Sequence, residues 1–151
     1  MYAYLLINLT FFIRKHRKYL FFVAVIEQFN DVKLKKTKFK YIIYKIEGPE
    51  IVTEKTSESG DWNEFLGGFP DDDGRYALYD MDYETNDGRR SNKLVFISWV
   101  PDTAKVKAKM TYAGSKEALI RAFVGVTTKI NATDMSEITE EAVMDACKKF
   151  T

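Results

Sequence analysis

The chain carries one histidine, His16, and one cysteine, Cys147. A zinc site needs several such ligands and a thiol–imidazole couple needs both in one place. His16 lies in an unusual N-terminal stretch. Cys147 falls on the apolar face of a predicted C-terminal helix, where a thiol is structural. Asp71-Asp72-Asp73-Gly74 invites a calcium reading. An EF-hand loop puts its glycine sixth, after acids at positions one, three and five. Counting back from Gly74 places Phe69 first, and counting back from Gly88 places Tyr83 first, so the acidic run reads as a loop. Asp80 and Asp82 share one face of a predicted strand, a spacing common by chance. No phosphate-cradling glycine loop of the Walker or dinucleotide type occurs. Neither catalysis nor a cofactor is expected.

The basic residues form the more telling pattern. Lys105, Lys109, Tyr112 and Lys116 follow the spacing of one helical face, with Ala113 and Ile120 beside it. Val106, Met110, Leu119, Phe123 and Val126 make an apolar stripe expected to face the core. The basic face is then expected to face solvent, with Ala113 and Gly114 small enough for another surface to come close. By pattern alone it is either a solvated lysine face or a docking face.

The elements that must position these residues follow from local signals. Ile26, Phe29 and Val32 predict a short helix over 24–34. Phe39 to Ile46 and Glu50 to Thr56 read as strands around a Gly48-Pro49 turn. Asp61 caps a short helix from Trp62 to Leu66, ended by Gly67-Gly68. Arg75 to Glu84 and Lys93 to Val100 are strands joined through Asn86-Asp87-Gly88. Lys105 to Val124 is a long helix after Pro101, with a kink expected at Gly114. Thr127 to Ala132 is a last strand. Thr139 opens a final helix, with Glu140 and Glu141 at the favourable end of its dipole. Val143, Ala146, Cys147 and Phe150 give that helix its core face. Strands and helices interleave, and the hairpin demands a mixed sheet. The fold class is α/β, of the α+β type, with a central mixed sheet of about five strands sandwiched by helices.

The length of 151 residues suits one domain. Hydrophobic residues make up 46% and charged residues 30%, which argues against disorder. A net charge of +1 leaves no global basic field of the kind a nucleic-acid binder carries. A lone cysteine excludes an internal disulfide and fits a reducing compartment. Residues 1–22 stand apart as an apolar and basic extension. Arg14-Lys15-His16-Arg17-Lys18 follows the first apolar run instead of preceding it, unlike a secretory signal. That run is also too short to span a bilayer. Three readings of the extension stand: a segment packed on the domain (residues 23–151), the product of a wrongly placed start codon, or a weak membrane-surface anchor.

Arg75-Tyr76-Ala77-Leu78-Tyr79-Asp80, Leu94-Val95-Phe96-Ile97-Ser98-Trp99, Pro101-Asp102-Thr103-Ala104, Lys107-Ala108-Lys109-Met110 and Tyr112-Ala113-Gly114-Ser115-Lys116-Glu117-Ala118-Leu119 occur in this order. The series resembles the actin-depolymerising factor/cofilin family, over about residues 23–150 and most densely from 75 to 121. The resemblance implies the actin-depolymerising-factor-homology fold. It implies binding to actin monomers and to filament sides, promoting severing and depolymerisation, by a cytoplasmic monomer. It implies a monomer- and filament-binding set at Lys107, Lys109, Ser115, Lys116, Ile120 and Arg121. It implies a filament-binding set at Arg89, Arg90, Lys93, Asp145 and Lys149. Some positions depart from the family pattern. Ile120 and Ala146 stand where relatives are often basic, Gly114 replaces a usual serine, and Lys105 replaces a usual proline. The family's short serine-bearing tail has no counterpart, since no serine precedes Ser57.

The same basic face suits phosphoinositide headgroups, which would compete with actin. The alternative reading is a phosphoinositide or membrane-surface module with impaired actin binding.

Overall fold

In a computed structural model, residues 22–149 are described. Residues 1–21, with His16, and the predicted core residue Phe150 lie outside them. Residues 22–33 are helical (α1), and Phe22 packs against the core. Val25, Phe29 and Val32 are the buried face of α1, at the i, i+4, i+7 spacing of a helix. Val25 therefore takes the place expected of Ile26, which is half-buried. The helix closes on a Schellman motif, in which Lys36 N–H reaches Asp31 O at 2.9 Å and Lys35 N–H reaches Val32 O at 3.1 Å. Lys35 sits in the left-handed region that this closure requires, with φ 59°.

Strands β1 (Tyr41–Glu47) and β2 (Glu50–Ser57) form an antiparallel pair with an irregularity between Ile43 and Tyr44. Gly48, at φ 60°, turns the chain between them. Helix α2 (Trp62–Leu66) starts where Asp61 accepts the N–H groups of Asn63 and Glu64. Strands β3 (Arg75–Glu84) and β4 (Arg90–Trp99) make a long hairpin, with Gly88 at φ 84° in its turn. β4 begins three residues before the expected Lys93, because Arg90, Ser91 and Asn92 pair with Glu84, Tyr83 and Asp82. Helix α3 (Val106–Ala122) then leads to β5 (Thr128–Ala132), which lies parallel to β4. A 3-10 turn (Met135–Ile138) carries a capping box between Asp134 and Glu137, which the sequence reading missed. Helix α4 (Glu140–Lys148) is capped by Thr139.

The sheet is mixed, in the order β2-β1-β3-β4-β5. Alternation along the strands divides the core in two. On one face Tyr41, Ile43, Tyr79, Ile97 and Trp99 pack with Phe65 of α2 and with Val143 and Cys147 of α4. On the other, Ile42, Tyr44, Tyr76, Leu78 and Phe96 pack with Phe29 of α1 and with Tyr112, Leu119 and Phe123 of α3. α3 and α4 therefore cover opposite faces. Among the described residues no helix is long and apolar enough to cross a membrane.

Candidate docking surfaces and family membership

The placement of α3 rests on Tyr112, which is 2% exposed. Its phenol oxygen accepts the Ile46 N–H at 2.9 Å. Its carbonyl accepts the Tyr76 hydroxyl, and the two rings lie 5.1 Å apart. Gly74 permits this approach, because a Cβ there would lie 2.4 Å from the Tyr112 ring. Toward the helix's C-terminus Leu119 and Phe123 are buried, and Phe29 stacks on Phe123 at 4.5 Å. Lys33 of α1 donates to Val124 O at 2.7 Å, which ties α1 to the turn just beyond the end of α3 and sets a positive charge near the negative end of that helix.

This arrangement corrects the expected facing of α3. Tyr112 was expected in solvent, yet it is the centre of the buried face. Val106 and Met110 were expected in the core, yet they are 72% and 71% exposed. The reason is a hydroxyl that finds a buried partner. With Ile46 N–H available, tyrosine packs inward and carries Leu119 and Phe123 with it at i+7 and i+11. The opposite face then presents Lys107, Met110, Gly114, Glu117, Ala118 and Arg121, all exposed. Val106 and Met110 join Ala113 and Gly114 as candidate contact residues, although the sequence reading had assigned Val106 and Met110 to the core. Taking Tyr112, Leu119 and Phe123 as one stripe would have exposed them.

The predicted site residues on α3 fall into distinct environments. Lys107 and Arg121 are exposed, near the helix's two ends. Lys107 also borders a groove of about 530 Å³ shared with Asp72, Asp73, Arg75 and Lys105. Lys109 is half-buried, and its Nζ donates to Asp102 O at 2.7 Å. Lys116 is half-buried too, and its Nζ reaches Asn131 Oδ1 at 3.2 Å. These two lysines brace the helix against its neighbours while lining one flank of the exposed face. Ser115 is half-buried, on the opposite flank by its helical position. Ile120 is half-buried and packs against the core, a setting that suits an apolar side chain.

The second predicted set is assembled from the hairpin and α4. Arg89 and Arg90 are exposed at the hairpin tip, and Arg89 donates to Asp87 at 2.8 Å. The Asp87 carboxyl is held below its usual range by the Thr85 hydroxyl and then by Arg89. Lys93 is half-buried, and its Nζ donates to Cys147 O at 3.0 Å. It also lies over the Tyr83 ring, 5.7 Å from the centroid, and so ties the hairpin to α4. Asp145 and Lys149 are exposed on α4 and at its end. Cys147 is buried, and desolvation pushes its thiol upward, away from the thiolate that a nucleophile needs.

Comparison with known proteins places this architecture. The family model described as cofilin/tropomyosin-type actin-binding protein matches residues 19–148. A cofilin of Mycosarcoma maydis is 44% identical over 128 residues, covering 83% of this chain and 91% of that protein. A cofilin of Ogataea parapolymorpha is 48% identical over 130 residues, covering 83% and 90%. The crystal structure of Streptomyces griseoflavus cofilin superposes with a TM-score of 0.77 at 44% identity, covering 83% of this chain and 94% of that one. A match of this extent fixes descent as well as fold: the chain belongs to the actin-depolymerising factor/cofilin family of actin-binding proteins.

Proposed function

We propose that this protein binds actin monomers through the outer face of α3 and filament sides through α3 together with the β3–β4 hairpin and α4. Binding filament sides promotes severing and depolymerisation. The observation that carries this reading is the exposed, partly apolar face of a rigidly pinned helix. Burying a side chain such as that of Met110 releases roughly 1.5–3 kcal/mol relative to leaving it in water. Lys107 and Arg121 bracket that patch with positive charge, which speeds encounter with an acidic partner and fixes register. The two surfaces lie on opposite layers of the sheet. A filament can therefore engage both while a monomer engages one. Contacts that favour one filament conformation over another shift its equilibrium, and that shift is what weakens subunit contacts.

The site of action is then the cytoplasmic actin cytoskeleton. Phosphoinositide headgroups would compete for Lys107 and Arg121 on the same face.

The test combines pelleting with actin filaments, a monomer-binding titration and imaging of filament breakage. Charge reversal at Lys107 and Lys109 should weaken both forms of binding. Replacing Arg89 and Arg90 by alanine should weaken filament binding and spare monomers. Wild-type protein that binds neither form of actin but pellets with phosphoinositide vesicles would replace this reading with the membrane-surface one.

A further inference from the structure

The outer half of the β3–β4 hairpin is a two-stranded ribbon. The ladder between β1 and β3 runs from Tyr44↔Tyr76 to Tyr41↔Tyr79, and one further bond joins Asp80 N–H to Lys40 O at 2.8 Å. On the other side, β5 pairs with β4 only from Val95 onward. Beyond these points the two strands pair only with each other, from Asp80↔Leu94 to Glu84↔Arg90. One face of the ribbon is covered, since Met81 and Tyr83 are buried in the cluster that includes Val143 and Cys147. The base of the other face is only partly packed, through Leu94 against the cluster that includes Phe29 and Leu119. There a cavity of about 240 Å³ separates it from the end of α1, lined by Val32, Lys33, Lys35, Asp80, Asn92 and Leu94 among others.

One charged bond crosses that gap, from Lys35 to Asp80. Asp80, whose side chain is only 13% exposed, receives Lys35 Nζ at 2.5 Å and Asn92 Nδ2 at 3.0 Å. Asp82 receives Lys40 Nζ at 2.6 Å. Asp80 is thus bonded to α1 on one side and to the neighbouring ribbon strand on the other, at the residue where the ribbon leaves the sheet. Lys35 has a second peculiarity. It occupies the left-handed position of the α1 closure, φ 59°, where glycine is the usual residue. Strained backbone of this kind persists where surrounding structure or function holds it, and here the lysine places its ammonium on Asp80.

We propose that Asp80 and Lys35 form a positioning joint that holds the ribbon at a fixed angle to the domain and so governs attachment to filament sides. Neither residue contacts the partner. They act through Arg89 and Arg90 at the ribbon tip. This rests on the filament-binding role proposed above.

Three variants test it. Lys35→Gly removes the ammonium and also relieves the backbone, so a purely structural role predicts unchanged or improved function. The joint predicts the opposite split: a melting temperature equal to or above wild type, but filament affinity lowered about threefold, the scale of an exposed pair. Asp80→Asn, which also weakens the Asn92 bond, should lower filament affinity about tenfold. Both should leave monomer affinity within about twofold. Lys36→Ala removes the same charge from the same loop without touching the ribbon and should leave filament affinity within about twofold. Amide hydrogen exchange over residues 85–90 gives a readout without actin, and both joint variants should raise it. Unchanged filament affinity in folded Lys35→Gly and Asp80→Asn would overturn the joint. So would an equal loss in Lys36→Ala, which would show the loop acting by charge alone. Wild-type protein that fails to pellet with filaments would instead overturn the filament-binding reading, and the exchange data would still decide the joint.

Discussion

The Tyr112 hydroxyl accepts the amide of Ile46 at 2.9 Å, across 66 residues of sequence. Ile46 lies beyond the last rung between β1 and β3, which is Tyr44↔Tyr76. The phenol therefore stands where a strand carbonyl would otherwise be, and it fixes α3 on the sheet.

Tyr112→Phe should leave the Ile46 donor without this acceptor and destabilise the fold by about 1–3 kcal/mol. Gly74→Ala should be at least as harmful, because its Cβ would press into the Tyr112 ring, and overpacking costs about 1–3 kcal/mol. Urea melts of Gly74→Ala, Tyr112→Ala and the double variant should show strong non-additivity, since the double variant removes the clash. Additive losses would mean that the two residues do not share one contact.

Met110→Ala should separate binding from stability. The side chain is exposed on α3, and alanine is the better helix former. Stability should stay within about 0.5 kcal/mol, while actin affinity falls about tenfold. Leu119→Ala, buried on the other side of the same helix, should lose about 2–5 kcal/mol of stability. Denaturant curves and monomer titrations on both variants read the contrast. Undiminished affinity in Met110→Ala would remove the apolar patch from the site.

Tyr44→Phe should stabilise the protein. Tyr44 is fully buried between the sheet and the helices, with Phe123 5.8 Å away. Its hydroxyl has no hydrogen-bond partner among the described residues. A buried, unpaired hydroxyl costs about 1–3 kcal/mol, so removing it should raise the melting midpoint. A lower midpoint would reveal a partner for that oxygen.

Alkaline pH should unfold the protein through its buried tyrosines. Burial raises the phenols of Tyr44, Tyr76 and Tyr112 and pushes Tyr79 from its ordinary value of 10.0 up to about 12. Below the unfolded value both states keep the proton, so stability is flat. Above it the unfolded chain releases protons that the folded chain retains, and stability falls as pH rises from about 10 toward 12. Urea midpoints measured from neutral pH upward should hold steady and then drop in that window. Tyrosinate absorbance should rise together with unfolding. A midpoint that drops well below pH 10 would assign the loss to other groups.

The features legible in the sequence were those whose physics is local. Asp61 and Thr139 cap helices because their side chains reach amides two or three residues away. Gly48 and Gly88 turn hairpins because they tolerate positive φ. Alternating apolar residues placed β3 and β4 to within a few residues. A resemblance carried by ordered blocks of residues then named the family.

The facing of α3 was decided elsewhere. Apolar and charged side chains are spread around that helix, so its periodicity selects no single buried side. The choice falls to one hydroxyl and one amide that meet only when β1 and α3 are both in place. In the same way, nothing near Lys35 in sequence explains a lysine at a left-handed closure. Its partner Asp80 is 45 residues away. The sequence determined which segments become helices and strands and which family they build. The tertiary structure decided which faces meet solvent, because that depends on buried polar groups finding partners far along the chain.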